Sequence, residues 1–274
     1  MKVYIDTCVL PRCRLEEAAV YTKRFGGWLG FELLPMFDLP DWEENLKKNL
    51  PLFTGRPLIF HEPGWGVEPS APQDSPAWKE GMKHLLLTRQ YAEILHPTDM
   101  VCHLNNSIVS PEEKDRMLEN AAANLEEIRR MFPGVRLLVE NTGIRAEGSQ
   151  LLDQEEFARE CIARGWDVLI DVGHANANGW DVFRLVTQLK DRIRGFHLHN
   201  NDGAHDLHNR ILNGTLGLAA LLPFIAKTVP DAFLVIEYCR PELHGLPLLE
   251  DIEALRSLIG TKAGQPAERK PAWR

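Results

Sequence analysis

The chain has 274 residues, of which 44% are hydrophobic and 26% charged, and carries a formal net charge of −8. That length buries a sizeable core, and the balance is that of an ordinary globular protein. No uninterrupted apolar stretch is long enough to cross a bilayer, and the acidic balance argues against nonspecific binding to a polyanion.

The opening MKVYIDTCVL reads as a strand at 2–6 rather than as a secretory leader, so a cytoplasmic location is the expectation. A helical period follows at 15–25, then a strand at 28–34, a short helix at 41–49 and a strand at 57–61. The Pro- and Gly-rich segment HEPGWGVEPSAPQDSP leaves this third strand. Two readings stay open for it, a lid or substrate flap carrying Trp65 and an ordinary surface loop.

A helix at 75–95 and a strand at 99–103 come next. Ser110-Pro111-Glu112-Glu113 orders a capping hydroxyl, an N1 proline and early acids, predicting a helix at 111–131. A strand at 136–140 precedes a helix at 153–163, opened by Asp153 as a capping residue. Strands at 167–171, 195–199 and 232–238 then alternate with helices at 180–192, 216–229 and 247–259. RLLVE, DVLID and FLVIE are continuous apolar runs closed by an acid, as strands buried on both faces should be. Eight β/α alternations in a chain of this size predict an α/β fold, a single (β/α)8 TIM barrel over 1–260. Residues 261–274, TKAGQPAERKPAWR, lose the period and read as a C-terminal tail.

The five cysteines, Cys8, Cys13, Cys102, Cys161 and Cys239, are odd in number and lack a CxxC spacing. They predict no disulfide framework, and buried inert thiols for most.

The chemistry concentrates where strands end. His61, His103, Glu140, Asp171, His174, His197 and Glu237 lie at or just past strand ends, and Asp206 and His208 follow in a polar loop. In a barrel of this kind, strand C-termini and the loops after them converge on one mouth. Bringing Glu140, Asp171 and Glu237 together with His197 is costly unless a cation compensates, which predicts a divalent metal there. His61 and His103 can meet Glu140 in a second set, and His174 can meet Asp206 and His208 in a third. His199, two residues past His197 on the same strand parity, is a candidate to contact substrate or orient a ligand. Arg145 is a candidate for an anionic group, with a surface role as the plainer reading.

ENTG at 140–143, DVGH at 171–174, HLHNNDGAHDLH at 197–208 and IEY at 236–238 resemble the xylose-isomerase-like TIM barrel superfamily (AP endonuclease family 2), which includes sugar isomerases and epimerases, inosose-processing enzymes and endonuclease IV. The resemblance implies a metal on Glu140, Asp171, His197 and Glu237, with Glu140 and Glu237 also serving as the catalytic acid/base pair. The endonuclease IV branch implies three zinc ions. His61, His103 and Glu140 would hold one, the central four residues a second, and His174, Asp206 and His208 a third. DVGHANANGW and HEPGWG depart from that branch's DTCH signature and DNA-probing loop, which counts against nucleic acid as partner. The expected activity is therefore isomerisation or epimerisation of a sugar or polyol ketone on Mn, Zn, Co or Mg. A zinc phosphodiesterase is the alternative, and a noncatalytic sugar-binding protein the remote one.

Overall fold

The computed structural model describes residues 1–11, 14–64 and 66–260, so Cys13, Trp65 and the expected tail at 261–274 lie outside the described residues. Strands β1 (Val3–Asp6), β2 (Leu29–Leu33), β3 (Leu58–His61), β4 (Asp99–Cys102), β5 (Arg136–Glu140), β6 (Val168–Asp171), β7 (Ile193–Leu198) and β8 (Phe233–Ile236) are all parallel. They close in chain order, β8 pairing back onto β1. The chain is a (β/α)8 TIM barrel, and each strand boundary falls within two residues of its expected place.

The surrounding helices are α1 (Ala18–Phe25), α2 (Trp42–Phe53), α3 (Pro76–Leu95), α4 (Lys114–Met131), α5 (Gln154–Arg164), α6 (Val172–Ala177), α7 (Val182–Leu189), α8 (Leu218–Thr228) and α9 (Leu246–Gly260). Among the described residues, no helix is long and apolar enough to cross a membrane. Three departures from the sequence reading have local causes. Helix α2 runs four residues further than expected, through Pro51, because Phe53 is buried in the core and holds the last turn down. Helix α4 starts at Lys114, three residues late: Ser110 Oγ donates to the Glu112 side chain and does not cap. Helix α6 was not expected at all. It is six residues long, too short to show a period, and Asp171 initiates it by accepting from the His174 backbone N–H at 2.6 Å. At α5 the Asp153–Glu156 capping box forms as the sequence implies.

Inside the barrel, Tyr4, Ile59, Val101, Leu138, Leu169, Phe233 and Val235 form a separate apolar layer. Two residues further along the same strands come Asp6, His61, His103, Glu140, Asp171 and Glu237. The period of two keeps both sets on the inner face, so the layer is the floor of the mouth. Its largest rings need room. A Cβ on Gly30 would lie 2.4 Å from the Tyr4 ring, and one on Gly195 would lie 2.2 Å from the Phe233 ring. These two glycines sit two residues before Glu32 and His197, and they let Tyr4 and Phe233 meet edge to face at 5.3 Å.

Candidate metal centre

Glu140, at the end of β5, is the hub of the mouth. His61 Nε2 lies 3.6 Å from Glu140 Oε2 and His103 Nε2 lies 3.3 Å from it. His174 Nδ1 is 3.1 Å from Glu140 Oε1. His197 Nδ1 faces three carboxylates at once, Glu140 at 3.6 Å, Asp171 at 3.7 Å and Glu237 at 3.4 Å. Beside this group, Asp206 Oδ2 is 3.3 Å from His174 Nε2 and 3.0 Å from His208 Nε2. All nine sequence candidates thus share one surface at the barrel mouth. They fall into overlapping sets in which one potential ligand atom per residue lies within 4.8 Å of the others. These sets are His61, His103 and Glu140; Glu140, Asp171 and His174; Asp171, His197 and Glu237; and His174, His199, Asp206 and His208.

Several supporting residues were not read from sequence. Glu32 on β2 is fully buried and receives His197 Nε2 at 3.0 Å. The signal was an acid inside the apolar strand LGFEL, on the inner parity. Glu62 is buried behind His103, 3.7 Å from its Nδ1, and takes a hydrogen bond from the Asn106 amide. Asn141 pins β5 to β6, donating to the Asp171 carbonyl and accepting from its N–H. Asn200 donates to the carbonyls of Ile211 and Leu216 and accepts from the Leu216 N–H, closing the loop that carries Asp206 and His208. Glu32 restrains a histidine ring from behind, while Asn141 and Asn200 fix the backbone that carries the site.

The electrostatics separate the two glutamates. Burial pushes the Glu140 carboxyl up, but the neighbouring His197 and His103 outweigh it and hold the group well below its ordinary value. Burial dominates at Glu237, which His197 offsets only in part, so its carboxyl sits well above the ordinary range. Burial opposes charge on His61, yet the nearby Glu140, Glu32 and Glu62 carboxylates push it up to about 10. Asp171, with His174 and His199 outweighing burial, is held at about 2. Glu140 Oε2, Glu237 Oε2, His197 Nδ1 and Asp206 Oδ1 are buried without a hydrogen-bond partner. Orphaned lone pairs of carboxylate and imidazole, turned toward one another, are the donor set that a divalent cation satisfies.

The other candidates divide. His199 is fully buried against this group, its Nε2 3.0 Å from Asp171 Oδ2. Arg145 is exposed and lines a surface hollow with Val109, Pro111 and Lys114. The loop after β3 is not a free flap over its described residues. Asn124 donates to the carbonyls of Pro69 and Ala71, Asn120 to that of Ser70, and Glu68 accepts from the Asn106 N–H. Cys8, Cys102 and Cys161 are buried, with thiols raised by burial, whereas Cys239 is exposed.

A closed parallel barrel with histidines and carboxylates converging at its C-terminal mouth defines a broad class of metal-site barrels. The family described as Xylose isomerase-like TIM barrel matches residues 38–258, and the chain belongs to that family. A comparison with curated proteins finds no match. Among solved structures, a D-tagatose 3-epimerase-like protein aligns with TM-score 0.73 and 18% identity, over 95% of this chain and 98% of that one. The IOLI protein with a bound zinc atom gives TM-score 0.73 and 15% identity over 97% and 100%. Endonuclease IV from Thermus thermophilus gives TM-score 0.61 and 21% identity over 95% and 98%. At these identities the likeness is one of fold.

Proposed function

We propose that the protein is a metal-dependent isomerase or epimerase acting on a sugar or polyol ketone. The observation that carries this reading is the pair Glu140 and Glu237. Their carboxylates approach the same His197 Nδ1, at 3.6 and 3.4 Å, from strands β5 and β8. A substrate carbon lying between them would meet one carboxylate on each face, the arrangement needed to remove a proton from one side and return one on the other. A bound cation would draw both carboxyls toward the ionised form and so set which of them carries a proton at each step. A divalent cation on Glu140, Asp171, His197 and Glu237 would supply the positive charge that stabilises an enediolate. Asn141 holds the Asp171 backbone in place, and Glu32 keeps the His197 ring from turning away. Solved neighbours that bear epimerase names, including a D-allulose 3-epimerase in complex with D-allulose, support a small carbohydrate as the substrate class.

A second reading, a zinc phosphodiesterase of the endonuclease IV kind, is favoured by a separate observation. His61 and His103 reach Glu140 while His174 and His208 reach Asp206, so potential ligands for three cations adjoin one another. That set would suit a phosphate bridged between metals.

The test uses protein loaded separately with manganese, cobalt and zinc, assayed by NMR in D2O on a panel of ketoses and inososes. Solvent deuterium should enter the carbon that epimerises, and Glu140→Gln and Glu237→Gln should each lower turnover by at least ~10²–10⁴-fold. Near-normal turnover in either variant refutes the two-glutamate mechanism. Cleavage of an abasic-site oligonucleotide by the zinc form, with no exchange on any sugar, would establish the second reading.

A further inference from the structure

We propose that His199 completes a closed cage with His174, Asp206 and His208, holding a divalent cation on four protein ligands at the edge of the mouth. The inference rests on the metal-binding reading above and deepens it. Three imidazoles surround the Asp206 carboxylate, with His208 Nε2 at 3.0 Å, His174 Nε2 at 3.3 Å and His199 Nε2 at 3.7 Å. Asp206 Oδ1 is buried and has no hydrogen-bond partner, which leaves it capacity to bind.

The site has the marks of construction. His199 is fully buried with its ring 4.1 Å from that of His208 and 20° from parallel, so sharing a cation requires one ring to turn out of this stack. Gly173 makes its position possible, since a Cβ there would lie 2.0 Å from His199 Cε1. His208 itself has φ +45°, in the left-handed region that non-glycine residues avoid, and a hydrogen bond between its Nδ1 and the Glu237 carbonyl fixes its ring. A strained backbone, a glycine notch and a buried ring all serve to bring nitrogens to one carboxylate.

Four protein ligands around a tetrahedral cation leave no position for water or substrate, which is the property of a structural metal. Such a cation would tie the loop from 200 to 217 to α6 and would hold Asp206 and His208 whatever occupies the central set. The rival role for His199 is to donate to Asp171 Oδ2, 3.0 Å away, as a positioning residue only.

Cobalt(II) separates the two. Chelator-stripped protein is titrated with cobalt alone, and bound metal per chain and the visible absorption of tetrahedral cobalt are read for the unmodified protein, His199→Gln and His208→Gln. Circular dichroism checks that each variant folds. The glutamine side chain still donates to Asp171 but is a poor metal ligand. Loss of one tightly held cobalt per chain, with its share of the tetrahedral band, in both variants is the expected result. If His199→Gln keeps the full band and stoichiometry while His208→Gln loses them, His199 is not a ligand and the proposal is overturned. If neither variant loses metal, no cation sits in the cage, and the third set of the Proposed function falls with it. Should His199→Gln not fold, Gly173→Ala, which displaces the ring by filling its notch, is read in the same way.

Discussion

His197 on β7 and Glu32 on β2 meet across the inside of the barrel, Nε2 to Oε2 at 3.0 Å, both without solvent exposure. The bond uses the outer nitrogen of the ring and thereby fixes which nitrogen is turned to Glu140, Asp171 and Glu237. An imidazole held this way by a carboxylate is also a more basic ligand.

Glu32→Gln keeps the shape and removes the charge. Affinity for the central cation should fall by about 10–100-fold, the usual range for a lost carboxylate partner of a ligand histidine. Competition against a chromophoric chelator measures it, and an unchanged affinity would leave Glu32 as mere filling.

Gly195→Ala drives a methyl group to within 2.2 Å of the Phe233 ring. Overpacking of this sort costs roughly 1–3 kcal/mol. Thermal unfolding should show the loss, and adding Phe233→Leu should recover part of it. Additive losses in the double variant would mean that the ring is not what the methyl strikes.

Asp6 offers a test by pH. Burial and the nearby Glu32 raise its carboxyl to about 6 from an ordinary 3.8. The folded chain therefore holds a proton that the unfolded chain releases, and stability from this group is full below about pH 4 and lost as pH climbs through 6. The swing is on the order of 3 kcal/mol. In chelator-stripped protein, Asp6→Asn should lose less stability between pH 5 and pH 8 than the unmodified chain. Parallel pH curves would contradict the assignment.

The segment after β3 depends on Asn124, whose amide serves two carbonyls, those of Pro69 and Ala71. Asn124→Ala leaves both acceptors buried without their donor, a cost of roughly 1–3 kcal/mol. Hydrogen exchange in residues 66–75 should accelerate while exchange in β5 and β6 does not. Equal acceleration in both regions would point instead to a global loss of stability.

The barrel was legible because a buried parallel strand leaves a continuous apolar run, and an acid closing RLLVE or DVLID stands out against it. The convergence of the nine candidates was legible for the same reason, since strand ends in this architecture share one mouth. What lay hidden depends on contacts between distant strands. Glu32 is an acid within LGFEL whose partner is 165 residues away, and nothing local marks it as paired. Helix α6 was missed because six residues give no period, although Asp171 three positions before His174 is itself a capping spacing. The Ser110 signal misled because its hydroxyl had a competing partner in Glu112.

The glycines at 30, 173 and 195 carry no chemistry, yet they decide where it can stand. A protein engineer who copied the histidines and acids onto another barrel would reproduce the ingredients without their spacing. The recipient would also have to accept Tyr4 over one empty position, Phe233 over another and His199 over the third, or the transplanted groups would arrive an atom's width apart from one another. Portability of this centre is therefore limited less by its reactive residues than by three places where a side chain is missing.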